Sequence, residues 1–352
     1  MKAVLMQRGK LWVENVDDPT PGPGEVLVKS LACGICGSDL HAVRHTEDFV
    51  TTSREAGGAF KLTTFDPVVL GHEFCAEVVD YGPNAKGPDT ERRFSSGQLV
   101  CSIPMLLRSQ PLAIGYDEKV PGGFAEYMVL SERMMRPVPE GTPVTAAALT
   151  EPMAVGLHAI NKARLNGREA ILVIGTGPVG LAVLTALSGT HQGPIIASDL
   201  SPGRRHFAQR QGADAALDPS VEDPFAHQDI KRAKELVIFE CVGVPGMLDR
   251  LFLDAPQDAR IIVVGVCLQA DQIRPMIAIN KELSLQFVLG YSMEEFDTSL
   301  RAIADGRFDV APMVTSEVGL DDVEATFRSL ADPEADAKVV VNPWLDPGRN
   351  RD

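Results

Sequence analysis

The spacing of apolar residues changes near residue 152, and this change predicts two kinds of structure in one chain. Before it, short apolar runs at 24–29 and 77–79 are separated by many Gly and Pro residues, a pattern typical of an irregular antiparallel sheet. After it, short apolar runs alternate with longer segments, as in a parallel sheet with crossover helices. The predicted parallel strands are 171–174, 195–197, 236–239, 261–264 and 283–288, and 202–211 is a predicted helix capped by Gly212.

Length and composition restrict the class of protein. The 352 residues, of which 45% are hydrophobic, are enough for two packed cores, and no stretch approaches the ~20 consecutive apolar residues of a membrane span. The formal charge of -15 opposes binding to nucleic acid and to anionic membranes. The N-terminus lacks the apolar run of a signal peptide. The six scattered cysteines indicate free thiols or metal ligands rather than disulfides. We therefore expect a cytoplasmic protein with no nucleic-acid or membrane partner.

A glycine-rich turn follows the first predicted parallel strand and opens an apolar helix. Residues 175–180 read Gly-Thr-Gly-Pro-Val-Gly, which matches G-x-G-x-x-G. In this context the motif predicts a dinucleotide site, whereas the motif alone is a weak signal. Gly175 permits the tight turn, Gly177 lets the backbone approach a pyrophosphate at the helix N-terminus, and Gly180 lets helix and strand pack closely.

An acidic residue at the end of the next strand predicts which dinucleotide binds. Asp199 lies 24 residues beyond Gly175, where a carboxylate accepts hydrogen bonds from the adenosine ribose of NAD and repels the 2'-phosphate of NADP. Arg204 and Arg205 would soften that repulsion, so NADP remains the less favoured alternative. The candidate cofactor-binding residues are Gly175, Gly177, Pro178, Val179, Gly180, Asp199, Arg204, Gly265 and Val266.

The segment around Cys33 and Cys36 carries a candidate metal site. Cys33 and Cys36 form a CxxC pair, and the chain has no second CxxC. A closed four-sulfur zinc site is therefore excluded, and Cys36 is better explained as one ligand of an open site with His72 and a carboxylate. Cys33 is then expected to be structural.

These residues together resemble the medium-chain zinc-dependent alcohol dehydrogenases over nearly the whole chain. The matching segments are 34–41, 71–73, 122–127, 151–159 and the turn at 175–180. The pair Glu151-Pro152 is similar to the polyol and threonine dehydrogenase branch, in which a glutamate replaces the second cysteine ligand. The resemblance implies an α/β fold: a Rossmann doubly wound parallel sheet, 153–289, inserted in a mainly-β GroES-like catalytic domain formed by 1–152 and 290–352.

The resemblance also implies the metal ligands. Cys36 and His72 would bind one catalytic Zn2+, and either Glu73 or Glu151 would supply the remaining protein ligand. In parts of this branch the counterpart of Glu73 binds the ion while that of Glu151 holds the zinc-bound water, and the sequence leaves both arrangements open.

Roles for three further residues come from the same resemblance. Asp39 would accept a hydrogen bond from the non-ligating nitrogen of His72 and so fix the tautomer of its imidazole. Ser38 and His41 would form a proton relay to solvent. Glu73 is a candidate both for a catalytic role and for metal binding. Zinc would lower the pKa of the substrate hydroxyl, and a hydride would then pass to the nicotinamide.

The chain departs from the family pattern in three places. Residues 102–122 contain no cysteine where many relatives carry four, so we expect no structural zinc and one zinc per chain at most. The extra segment near 46–65 would form either a lid at the cleft mouth or a disordered surface loop. Ala42 and Gly290 stand where sugar-alcohol enzymes place a tyrosine and an arginine. A less hydroxylated alcohol is therefore expected, near the apolar residues Phe49, Phe65, Met105, Leu106 and Leu107.

The predicted function is hydride transfer between an alcohol, or its aldehyde or ketone, and NAD. Two alternatives remain: a zinc-free NADPH-dependent quinone or enone reductase, and a non-enzymatic NAD-binding regulator. The resemblance also implies a homodimer or homotetramer that associates through strand 283–288.

Overall fold

The computed structural model describes residues 1–58, 60–83, 92–330, 332 and 336–345. The elements before the glycine-rich turn are mostly short strands. These strands are β1 Lys2–Gln7, β2 Lys10–Asn15, β3 Glu25–Gly34, β4 Val68–Val69, β5 Glu73–Tyr81, β6 Leu99–Ser102, β7 Met105–Leu107, β8 Pro111–Ala113, β9 Tyr127–Ser131 and β10 Met135–Pro137. The helices among them are α1 Gly37–Arg44, α2 Thr46–Glu55, α3 Val144–Ala148 and α4 Thr150–Ala163.

Strands and helices alternate in the following part of the chain. The strands are β11 Ala170–Ile174, β12 Ile195–Ser198, β13 Ala215–Leu217, β14 Leu236–Glu240, β15 Arg260–Val263 and β16 Ser284–Phe287, with β17 Val314–Val318 and β18 Lys338–Val341 after them. The helices are α5 Pro178–Leu187, α6 Pro202–Arg210, α7 Gln228–Arg232, α8 Met247–Asp254, α9 Pro275–Asn280, α10 Met293–Ala304 and α11 Val323–Ser329.

A mostly antiparallel sheet, in which β17 and β18 are parallel, carries the metal-site candidates. Its strand order is β10-β6-β5-β3-β18-β17, with β9 also paired to β3, and β2-β1-β4 form a smaller sheet beside it. Alternate residues of β3, such as Val26 and Val28, are buried, as a strand with one face on a core requires. The last strand, β18, pairs with the end of β3, which brings the C-terminal part of the chain to the start of α1.

The second sheet is parallel, with the order β13-β12-β11-β14-β15-β16. Its central strands are apolar and buried on both faces, which is the pattern of a sheet covered by helices on both sides. The order reverses between β11 and β14, so a crevice opens there at the carboxyl ends of the strands, where such sheets bind dinucleotides. The predicted doubly wound sheet is confirmed, and β13 is a strand that the apolar pattern did not predict.

The segment 46–65 is folded over its described residues. It forms α2 and an extended return, and Phe49 and Leu62 are buried in the core of the antiparallel part. The alternative of a disordered loop is therefore wrong for these residues. The Thr52 hydroxyl lies 3.4 Å from the Leu268 carbonyl oxygen, so α2 also contacts the loop that follows β15.

The helices in the described part of the chain do not include a membrane span. None of its helices has the length and apolarity needed to cross a bilayer.

Candidate active site

Three ligand-type side chains meet where β3 ends and β5 begins. Cys36 precedes α1, His72 immediately precedes β5, and Glu73 is the first residue of β5. One donor atom from each lies within 4.8 Å of the other two. Sulfur, nitrogen and oxygen donors in one group fit an open zinc site. His72 Nδ1 and Glu73 Oε2 are both buried, and each faces a charged side chain, Asp39 and Lys338 respectively.

Close packing of the backbone places His72 beside Cys36. Gly71 has φ +101°, and a Cβ there would lie 2.8 Å from Cys33 Sγ. A Cβ on Gly123 would lie 2.6 Å from the same sulfur. Cys33 is fully buried between these two glycines, so it occupies a packing position rather than a place in the donor group.

The Glu73 carboxylate has a buried cation as its neighbour. Lys338 Nζ contacts Glu73 Oε2 and donates a hydrogen bond to the Ile35 carbonyl oxygen at 2.9 Å. Both side chains are at most 1% exposed. Burial lowers the pKa of Lys338, but the Glu73 and Cys36 charges outweigh that effect, and the pKa of Lys338 is raised. The lysine therefore remains charged and compensates the glutamate.

Glu151 faces the same space from the first turn of α4. Burial raises its pKa to about 7, although the charge of His72 and a hydrogen bond from Tyr291 act in the opposite direction. The Glu73 charge also raises the pKa. The charges of His72 and Glu73 therefore both affect Glu151, but Glu151 lies outside the 4.8 Å donor group.

Asp39 connects the start of α1 to His72. Its Oδ2 accepts a hydrogen bond from the Cys36 backbone N–H at 3.0 Å, and its Oδ1 lies 3.4 Å from His72 Nδ1. Burial lowers the pKa of His72, but the charges of Asp39 and Cys36 outweigh it and raise that pKa well above the usual value. The Tyr116 hydroxyl also reaches Asp39 Oδ1, at 3.1 Å.

The two relay candidates occupy the same short helix but have different surroundings. Ser38 Oγ lies 2.7 Å from the Tyr116 hydroxyl. The His41 ring lies 6.2 Å from the His45 ring, and burial followed by the charges of His45 and Arg44 lowers the pKa of His41. Among the contacts of the described residues, the hydroxyl partner of Ser38 is Tyr116 and not His41.

The glycine-rich turn has space that the protein itself does not fill. A Cβ on Gly180 would lie 2.0 Å from the Gly175 carbonyl oxygen, and Gly175 has φ +84°, so packing and backbone conformation require both glycines. A Cβ on Gly177 would meet only Arg204 Nη1, at 3.8 Å. The ten-residue helix α5 begins directly after Gly177, with Pro178 and Val179 as its first residues. Because Gly177 has no side chain, the N-terminus of this helix is open to a pyrophosphate.

Asp199 lies beside this turn. Its Oδ2 accepts a hydrogen bond from the Thr176 backbone N–H at 2.7 Å, and its Oδ1 accepts one from Ser201 at 2.9 Å. The carboxylate therefore braces the turn. Arg204 points toward Gly177 with its Nε buried and without a hydrogen-bond partner, whereas Arg205 pairs with Asp218 at 3.2 Å.

The ends of β14 and β15 meet on the other side of the crevice. A Cβ on Gly265 would lie 2.4 Å from the Gly243 backbone nitrogen, and Val266 beside it is half exposed. Glu240, buried at the end of β14, accepts hydrogen bonds from the N–H groups of Val242 and Gly243 at 2.7 and 2.8 Å. Burial raises its pKa. Glu240 is not among the residues predicted from the sequence, although it ends a parallel strand and Asp199 follows one.

The apolar residues expected near the substrate are dispersed. Phe65 is 74% exposed and lies under the Arg8 guanidinium, and Leu107 is also exposed, whereas Leu106 is buried. Met105 belongs to the β7–β8 hairpin. Phe49 is the member of the set that reaches the site, because its ring stacks on Tyr116 at 5.6 Å.

Known proteins match the chain over both of its parts. The model of the alcohol dehydrogenase GroES-like domain matches residues 22–140, and the zinc-binding dehydrogenase model matches residues 178–305. The chain is 30% identical to the (R,R)-butanediol dehydrogenase of Bacillus subtilis, over 97% of this chain and 100% of that protein. It is 27% identical to the L-threonine 3-dehydrogenase of Rhizobium rhizogenes, over 98% and 99%.

Solved structures agree with these matches. The crystal structure of 2R,3R-butanediol dehydrogenase from Bacillus subtilis has a TM-score of 0.81 at 28% identity, and covers 97% of this chain and 99% of that one. A structure described as a zinc-binding dehydrogenase from Sinorhizobium meliloti, bound to NADP, has a TM-score of 0.81 at 25% identity, with the same coverage.

A dinucleotide-type parallel sheet joined to an antiparallel sheet with a Cys, His and Glu donor group defines a metal-dependent dehydrogenase. The chain belongs to the medium-chain zinc-binding dehydrogenase family. It is an alcohol–carbonyl oxidoreductase that uses zinc and a nicotinamide cofactor on small molecules.

Proposed function

We propose that this enzyme oxidises a small secondary alcohol to its ketone with NAD, at a single zinc held by Cys36, His72 and Glu73. The donor group of these three side chains is the observation that carries the proposal. We choose Glu73 over Glu151 as the third ligand because Glu73 belongs to that group. Bound zinc supplies a Lewis acid that lowers the pKa of a coordinated hydroxyl.

The surrounding residues support the chemistry in distinct ways. Lys338 compensates the charge of Glu73, and Asp39 orients His72. The Ser38 hydroxyl would accept the substrate proton at Oγ as it gives up its own hydrogen, and His41 is the candidate that would exchange a proton with solvent. Tyr291, which follows the last strand of the parallel sheet, bonds Glu151.

The substrate class follows from what the site lacks. Ala42 is buried in α1 and Gly290 has no side chain, so neither position supplies a polar group for a sugar alcohol. The names of two relatives, butanediol and threonine dehydrogenase, support a small secondary alcohol with one further polar substituent.

Metal analysis combined with an alcohol panel tests this function. We expect one zinc per chain, NADH formation from butane-2,3-diol or threonine, and loss of activity on chelation that zinc restores. NADPH-dependent reduction of enones without metal would instead support the reductase alternative. Tight NAD binding without turnover of any alcohol would support the regulator.

Cofactor preference gives a separate prediction. We expect the wild type to prefer NAD, and Asp199→Asn to lower kcat/KM for NAD about tenfold, because a charge-assisted hydrogen bond becomes a neutral one. The same change should raise kcat/KM for NADP, because the repulsion of a 2'-phosphate is removed. Steady-state kinetics with both cofactors measures the two effects. Asp305→Asn is the control, since Asp305 pairs with Arg307 at an exposed position and with no residue of the turn. A wild type that prefers NADP would contradict the proposal.

We propose that the catalytic domain is discontinuous, with residues 1–152 and 290–352 flanking a nucleotide domain of 153–289. The pairing of β18 with β3 supports this division, and residues 59, 84–91, 331, 333–335 and 346–352 lie outside the described part. A structure with bound NAD tests it, since the two units should then rotate as rigid bodies about 152 and 290.

We also propose a cytoplasmic homodimer or homotetramer that associates along β16. Leu285, Phe287 and Leu289 are exposed at this edge of the sheet, and an apolar strand edge favours pairing with another chain. Sedimentation equilibrium should give the mass of two or four chains, and a monomer would contradict the proposed homodimer or homotetramer. Cell fractionation tests the location.

A further inference from the structure

Tyr116 stands at the centre of a hydrogen-bonded group with Ser38 and Asp39, and it lies outside the segments that resemble the family. It follows β8, in the part of the chain where the cysteines of a structural zinc are missing, and it is 1% exposed. Its hydroxyl lies 2.7 Å from Ser38 Oγ and 3.1 Å from Asp39 Oδ1. Because a carboxylate only accepts hydrogen bonds, the phenol donates to Asp39 and accepts the hydrogen of Ser38.

This arrangement connects Tyr116 to two functions of the site. Through Asp39 Oδ1, which is also 3.4 Å from His72 Nδ1, it reaches the metal-ligating imidazole. Through Ser38 it fixes the direction of a hydroxyl that would otherwise rotate freely. The Tyr116 and His72 ring centroids are 5.2 Å apart, so the phenol ring also limits movement of the imidazole.

The inserted segment holds Tyr116 in place. The Phe49 ring stacks on it at 5.6 Å with an interplanar angle of 18°, and the Phe60 ring lies 4.6 Å away. The Lys61 backbone N–H donates a hydrogen bond to the Tyr116 carbonyl oxygen at 3.2 Å. Gly115 is packed so tightly that a Cβ there would lie 3.1 Å from the Gly71 backbone.

We propose that Tyr116 is a positioning residue of this active site, which fixes Asp39 against His72 and orients Ser38, and that segment 46–62 serves to hold it. The inference rests on the proposed zinc-dependent function. It gives the segment 46–62 and the cysteine-free segment 102–122 a common role at the metal site.

The test is Tyr116→Phe, which removes the hydroxyl and keeps the ring. We expect zinc affinity to fall about 10–100-fold, as is usual when a group that orients a metal-ligating residue through hydrogen bonds is lost. The visible spectrum of the cobalt-substituted enzyme should change, because the imidazole is less firmly oriented. The kcat should fall while the KM for NAD and the affinity for NADH stay unchanged.

Tyr81→Phe is the matched control. Its hydroxyl also makes two hydrogen bonds, to Phe94 N–H and carbonyl groups at 2.9 and 3.0 Å, but these are remote from the metal group. This variant should retain zinc affinity, cobalt spectrum and kcat. Phe49→Leu is a second test in case Tyr116→Phe folds poorly. It keeps the phenol but removes its stacking partner, and it should change the cobalt spectrum in the same direction.

The outcomes separate this inference from the proposed function. If the wild type binds metal and oxidises alcohols, while Tyr116→Phe and Phe49→Leu both keep its zinc affinity and cobalt spectrum, the role of Tyr116 is overturned and the function stands. If the wild type binds neither zinc nor cobalt, both are overturned.

Discussion

Replacement of Cys36 by serine is expected to remove zinc from the enzyme and lower kcat at least about a thousandfold. In the proposed site Cys36 would bind zinc as a thiolate, the soft anionic member of the donor group, whereas a serine hydroxyl remains protonated and binds zinc weakly. Loss of Lewis-acid stabilisation of several kcal/mol corresponds to at least this factor. Metal analysis and steady-state kinetics measure the two effects. NADH binding, followed by fluorescence, should be unchanged, because the glycine-rich turn lies on a different sheet.

Cys33→Ser is the matched control for this prediction. It changes the other cysteine of the CxxC pair, which is fully buried between Gly71 and Gly123. We expect it to lower the free energy of unfolding while zinc content stays at the wild-type level. A Cys36→Ser enzyme with a near wild-type rate would refute zinc catalysis at this site.

Lys338→Met is expected to lower the free energy of unfolding by about 3–5 kcal/mol, because it leaves the buried Glu73 carboxylate without its cation. The Ile35 carbonyl oxygen also loses its hydrogen-bond donor. Urea denaturation of the metal-free protein measures the effect, since a bound metal would replace part of the lost charge compensation.

Two comparisons make the result specific to the buried pair. Arg328→Ala removes an exposed partner of Glu324 and should change the same free energy by at most about 1 kcal/mol. In the metal-free protein, Glu73→Gln combined with Lys338→Met should be more stable than Lys338→Met alone, because no uncompensated charge remains. A loss below about 1 kcal/mol for Lys338→Met would contradict the argument.

The doubly wound sheet was predictable because its signals are local. A buried parallel strand needs a short apolar run, and each run from 171–174 to 283–288 corresponds to an observed strand. The turn at 175–180 was also predictable from the sequence. Packing and backbone conformation require glycine at 175 and 180, whereas a Cβ at Gly177 would meet almost no protein atoms. The short strand β13 was not predicted. Its three residues are only partly buried, so they do not form the apolar run of a fully buried strand.

The residues that complete the candidate site were not predictable. Tyr116 lies 78 positions from Ser38, and Lys338 lies 303 positions from Ile35. Neither stands in a motif, and an isolated tyrosine or lysine in a sequence is usually a surface or core residue. The pairing of β18 with β3 and the packing of segment 46–62 bring them to the donor group.

By itself, the sequence determined the two-part architecture, the dinucleotide turn and the candidate ligands Cys36 and His72, and its resemblance to the dehydrogenase family implied the two candidate glutamates. These features depend on residue type and short spacing, which set strand and turn conformation directly. Only the tertiary structure decided that Glu73 joins the donor group, that Lys338 compensates it and that Tyr116 bonds Asp39 and Ser38. Charge compensation and hydrogen bonding of buried groups depend on which distant segments pack together, and a single sequence does not encode that as a local pattern.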